Sequence, residues 1–125
     1  MPAAFDEVFA SLKTVLVKHS KKLSVKHDEP AKYTLVSKTP SPFPQHKGEP
    51  MWFAEVRSGK AYVSFHLMPL YMNPALSSTI STGLKKRMQG KTCFNFKSFP
   101  DPEHLKELGA LTQAALEDWK LKGWL

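Results

Sequence analysis

Two runs rich in aromatic and β-branched residues, MWFAEVR and AYVSFHLMPLY, lie on either side of Ser58-Gly59. No other feature restricts the fold as strongly. A turn dipeptide between two such runs predicts a hairpin, and a tight hairpin is antiparallel. With Arg57 and Lys60 flanking a two-residue turn, Val56 faces Ala61, Ala54 faces Val63 and Trp52 faces Phe65. That side is apolar and is the predicted core. The other side pairs Glu55 with Tyr62, Phe53 with Ser64 and Met51 with His66, a mixed surface.

The flanking segments supply helices and further strands. Phe5, Val8, Phe9, Leu12, Val15 and Leu16 recur at helical spacing, so a helix is expected to run to about Ser20. Asp6 and Glu7 in its first turn, with Lys18 and His19 near its end, suit the helix dipole. YTLVSK alternates as a strand, LSVKHD does so less clearly, and Pro30 separates them. TPSPFPQHKGEP has four prolines in twelve residues. It therefore reads as an exposed loop, with Phe43 placed to pin it. Asn73-Pro74 opens a predicted helix whose Leu76, Ile80, Leu84 and Met88 share a side down to Gly90. TCFNFK is a short strand with Phe94 and Phe96 on one face and Cys93, Asn95 and Lys97 on the other. A closing helix is capped by Asp101, striped by Leu105, Leu108, Leu111, Ala115 and Trp119, and ends near Lys122-Gly123. This order predicts an α+β protein, a two-layer arrangement of a mainly antiparallel sheet with helices packed on one face. The 125 residues fit one domain.

Composition narrows the chemistry. The apolar fraction of 42%, with eight Phe, three Trp and three Tyr, is that of a packed core. A lone cysteine, Cys93, excludes an internal disulfide and a multi-thiolate metal site. No apolar run approaches the ~20 residues needed to cross a bilayer, and the first residues lack a secretory leader, so no membrane partner and a cytoplasmic location are expected. Ten Lys and Arg against two acids fall between residues 30 and 100, which accommodates the whole net charge of +7. A surplus of that size permits nucleic acid, phosphorylated ligands or acidic partners.

Several segments together resemble the DUF1801 (YdhG-like) family of small bacterial α+β proteins. They are the N-terminal helix, D-E-P-A-K-Y at Asp28 to Tyr33, the hairpin F-A-E-V-R-S-G-K-A-Y-V-S-F-H, and L-K-K-R-M-Q-G-K-T-C-F-N-F-K. The likeness covers nearly the whole chain. It implies the same fold in a family largely of unknown function, some of whose members are described as frataxin-like iron chaperones. Iron binding or delivery is thus one implied function. The residues depart from it: the acids form no ridge, and His19, His27, His46, His66 and His104 lack ligand spacing. No metal ligands and no cofactor are assigned.

The mixed sheet face is the expected site. Tyr62, Ser64 and His66 alternate onto it with Glu55, joined by Cys93 and Asn95 from the TCFNFK strand, and Met51, Phe53 and Met68 lie beside them. Such a mixture suits a small-molecule ligand, or a homodimer that covers Met51, Phe53, Tyr62 and Met68. A Cys93–His66 nucleophile and base would need an orienting group and an oxyanion site that the sequence does not supply, so no catalytic residue is assigned and the protein reads as a non-enzymatic binder. The alternative is nucleic-acid or phosphate binding through Lys85, Lys86, Arg87, Lys91 and Lys97. Gly90-Lys91-Thr92 does not complete a phosphate-binding loop, because the upstream glycine is Gly83.

Overall fold

The alternating runs assemble into one six-stranded antiparallel sheet. The computed structural model of the chain describes residues 2–21, 23–40, 47–90, 93–97 and 100–124. Phe43 and the centre of the proline-rich loop lie outside them. In order come α1 (Pro2–Val17), β1 (Leu23–Glu29), β2 (Lys32–Pro40), β3 (Pro50–Ser58) and β4 (Val63–Leu67). Then follow α2 (Pro69–Met72), α3 (Pro74–Ser77), α4 (Thr82–Lys85), β5 (Met88–Gln89), β6 (Cys93–Phe96) and α5 (Pro102–Leu121). The strand order is β1-β2-β3-β4-β6-β5. Helices α1 and α5 contact each other, and α1 lies on β3 and β4. The α+β fold, with helices against the sheet, is as the sequence predicts.

The core lies between the sheet and these two helices. Val8, Leu12 and Leu16 of α1, Val63, Phe65 and Leu67 of β4, Phe94 and Phe96 of β6, and Leu108 and Ala115 of α5 are all fully buried. Each large apolar side chain so buried stabilises the fold by roughly 1.5–3 kcal/mol before entropy is counted. Trp119, also fully buried, meets Phe53 edge-on at 5.2 Å and 81°. After Leu121 the chain stops the helix with Gly123 at φ 77°. The Trp124 N–H then donates to the Trp119 carbonyl at 2.9 Å, closing a Schellman motif that only a residue tolerant of positive φ permits.

The hairpin keeps the predicted faces but not the predicted register. Val56 faces Phe65, Ala54 faces Leu67, and Glu55 faces His66. The chain reverses two residues later than expected, around Lys60-Ala61, where the Gly59 N–H donates to the Tyr62 carbonyl at 2.9 Å. Gly59 matters there for space: a Cβ would sit 3.2 Å from that carbonyl oxygen. The observed register places Leu67 opposite Ala54, whereas the earlier turn would place it opposite Pro50 at the end of β3; in both, Val63, Phe65 and Leu67 share the core face.

A second correction concerns β3. Leu35 pairs with Ala54 and Val36 with Trp52, so Phe53 is an extra residue. This β-bulge reverses the alternation beyond it. Met51 and Phe53, predicted on the mixed face, are buried toward the helices, and Trp52, predicted in the core, turns to the mixed face. A homodimer built on Met51, Phe53, Tyr62 and Met68 thereby loses two of its four apolar members.

Smaller differences have local causes. Helix α1 starts at Pro2 and ends at Val17, leaving Asp6 and Glu7 beyond its first turn and Lys18 and His19 after its end. The dipole argument therefore does not apply. Residues 73–90 form short turns of helix and a strand instead of one helix. Ser78 and Thr79 donate side-chain hydrogen bonds to the Ala75 and Leu76 carbonyls at 2.7 and 2.8 Å, a local competitor to helix continuation. The Ser81 N–H and O–H both donate to Glu107 at 2.7 Å, which fixes the break. Asn73 does cap as predicted, accepting from the Ala75 N–H at 3.1 Å. Asp101 stands at the N-cap of α5, but its side chain makes no capping hydrogen bond.

The bulge carries a stability prediction. Phe53→Ala should destabilise the fold by about 3–5 kcal/mol, the usual range for emptying a buried aromatic site. Trp52→Ala should destabilise it less, since Trp52 is only half-buried. Denaturant unfolding of the two variants checks the phase of β3. An unbulged strand would reverse the order.

Candidate functional site

The sheet face opposite α1 and α5 is ordered by strand register. His27 faces Thr34, Thr34 faces Glu55, Glu55 faces His66, His66 faces Cys93, and Cys93 faces Gln89. One polar row thus crosses all six strands. A parallel row runs Lys32, Arg57, Ser64, Asn95. Residues directly opposed across strands stand close enough for their side chains to interact.

Hydrogen bonds tie the rows together. The Thr34 hydroxyl donates to Glu55 at 2.7 Å, and the Glu55 residue is only 4% exposed. Ser64 donates to Asn95 Oδ1 at 3.2 Å, and the Cys93 thiol donates to the same oxygen at 3.2 Å. Asn95 Nδ2 donates in turn to Gln89 at 2.8 Å. The Trp52 ring lies 5.9 Å from the His66 ring, tilted by 52°. His27 bonds Glu29 at 3.1 Å at the sheet edge.

Where β3 turns into β4, this face opens into a cavity of about 460 Å³ lined by Arg57, Gly59, Lys60, Ala61, Tyr62, Ser64 and His66. Neither Arg57 nor Lys60 forms an ion pair among the described residues. Two cations, a phenol, a hydroxyl and an imidazole therefore converge on one space, with the buried Glu55 directly beside His66.

Burial holds His66 below the ordinary histidine value of 6.5; Glu55 opposes this and Arg57 reinforces it. Burial pushes the Cys93 thiol above 9.0, with the neighbouring Ser64 hydroxyl acting the other way. At neutral pH Cys93 is a thiol, not a thiolate, and is a poor nucleophile despite facing His66.

All six predicted ligand residues gather here: Glu55, His66 and Cys93 in one row, Ser64 and Asn95 in the next, and Tyr62 on the cavity wall. Arg57 and Lys60 belong with them and were missed as site residues. The phase of Arg57, two residues from Glu55, is the signal that would have found it. Thr34 and Gln89 depend on pairings of distant segments and carry no local signal.

The basic cluster is divided instead. Lys85 and Lys86 are exposed, and Arg87 lies over the ring of buried Phe96 at 5.6 Å, on the helix side. Lys97 follows β6 in the opposite phase, and Lys91 lies outside the described residues. Among the described residues no three His, Cys, Asp or Glu side chains converge as metal donors, and no helix is long and apolar enough to cross a membrane. Comparison with known protein families, curated proteins and solved structures finds no match to this chain.

Two measurements test these environments. A histidine held below 6.5 leaves the fold at full stability above pH 6.5 and weakens it as pH falls through the folded-state value, because the unfolded chain takes the proton more readily. His66→Gln should therefore flatten the fall in melting temperature between about pH 7 and 5, and an unchanged profile would contradict the assignment. Cys93 should react with a disulfide reagent at neutral pH at least about tenfold more slowly than a free cysteine, and denaturant should abolish the difference.

Proposed function

We propose that the chain is a non-catalytic binding protein that takes a small anionic molecule in the cavity at the β3–β4 turn. The observation that carries this reading is the convergence of Arg57 and Lys60, without an ion pair among the described residues, on a space also lined by Tyr62, Ser64 and His66. Cavities of a few hundred Å³ with a few convergent polar groups are the usual form of small-ligand sites. Arg57 suits planar or tetrahedral oxyanions because its guanidinium offers paired donors. Ser64 and Tyr62 can supply neutral hydrogen bonds that fix orientation.

Nucleic-acid binding through the Lys85–Arg87 region is supported less well. Arg87 is engaged with Phe96 on the helix side, while Lys97 follows β6 in the opposite phase. Iron binding or delivery lacks a donor cluster among the described residues.

Thermal shift with phosphate and a panel of small carboxylates and phosphoesters tests the reading. An anion at about 100 times its Kd adds about 2.7 kcal/mol, a shift of several degrees. The Arg57→Ala/Lys60→Ala double variant should lose that shift, while Lys85→Ala/Lys86→Ala should keep it. The reverse pattern would favour the nucleic-acid surface, and binding of an oligonucleotide at low salt should then weaken steeply as salt is added.

A further inference from the structure

We infer that when this cavity takes a doubly charged anion, His66 gains a proton with it. The inference rests on the anion-binding reading above and assigns that site its regulation by pH. Its basis is the set of charged groups around the ring. From β3, Glu55 faces His66 directly and Arg57 stands one pair further along. From β6, Cys93 faces the ring on its other side. The turn contributes Lys60 and Tyr62 to the same cavity.

Arg57 and Lys60, set against Glu55, leave one net positive charge. A monoanion neutralises it; a dianion leaves one negative charge beside the half-buried His66 ring. His66 is the group there whose type titrates near neutrality. Cys93 is no alternative source of positive charge, because a thiol is neutral when protonated.

In the free protein burial, reinforced by Arg57, holds His66 below its ordinary value against the opposing pull of Glu55. A dianion would offset Arg57 and add an attractive charge of its own, so both the opposing and the missing interactions shift toward the protonated ring. Protonation also gives the imidazole a second N–H donor, so one can face the ligand while the other remains for the protein. Binding then tightens as pH falls through the bound-state pKa of His66 and levels off below the free-state one. The site would load in mildly acidic conditions and release in alkaline ones.

Proton NMR of the His66 ring against pH tests this, in sodium sulfate and in sodium chloride at equal ionic strength. Sulfate stays dianionic throughout, so any proton taken up belongs to the protein. His66→Gln identifies the resonance among the five histidines. Sulfate should raise the His66 pKa by about one unit, which corresponds to about tenfold tighter binding at the acidic plateau. Methyl sulfate, with the same head group and one charge, should bind at least about tenfold more weakly and leave the pKa in place. The His66→Gln protein should bind sulfate with no such pH dependence. Sulfate-specific amide shifts at residues 59–66 with an unmoved His66 pKa would overturn the proton linkage and leave the anion site standing. No sulfate-specific shift anywhere in the protein would overturn both.

Discussion

The extra residue in β3 organises both sides of the sheet. Without it, strict alternation would send Phe53 away from the helices and Trp52 into the core. With it, Phe53 and Ala54 are buried in succession, and Phe53 reaches the fully buried Trp119 of α5. The same kink releases Trp52 to the opposite face, where its ring stands beside His66. One inserted residue therefore couples the packing of the closing helix to the chemistry of the candidate site. A bulge of this kind increases local twist and re-aims a side chain.

The face that α1 and α5 do not cover also buries a carboxyl group, that of Glu55. Glu55 is the central member of a polar row, held by the Thr34 hydroxyl on one side and opposed by His66 on the other. A carboxyl group so enclosed needs its oxygens hydrogen-bonded, and the Thr34 hydroxyl donates to it at 2.7 Å. Arg57, two residues along the same strand, forms no ion pair among the described residues and lines the cavity. The strand that carries Glu55 thus also brings Arg57 to the cavity wall. Cys93, Asn95 and Gln89 complete the far side through hydrogen bonds that link β6 to the edge strand β5.

Much of this was legible before the strands were paired. Period-two alternation identified Glu55, Ser64 and His66 as companions, and the Cys93-Phe94-Asn95-Phe96 pattern assigned the two Phe inward. These inferences survive a register error because a shift of the turn by two residues preserves the faces. The bulge does not announce itself, since a run such as Met51-Trp52-Phe53-Ala54 is apolar at every position and either phase is plausible. Only the pairing of Leu35 with Ala54 and Val36 with Trp52 resolves it. The long helix expected after Asn73 failed for a related reason. Leu76, Ile80, Leu84 and Met88 do have helical spacing, but Glu107, from a helix distant in sequence, captures Ser81 and ends the run. Arg57 was read as a turn flank because the turn was set too early. With the reversal at Lys60-Ala61 it becomes a strand residue facing Ser64.

The account stands on one location for one kind of ligand. Crystals soaked in sodium selenate, a tetrahedral dianion whose selenium scatters anomalously, address it directly. The strongest anomalous peak should lie in the cavity, within hydrogen-bonding reach of Arg57 and with Lys60 and His66 beside it. A peak at Lys85 and Lys86 with the cavity empty, or no ordered selenate at all, would contradict it.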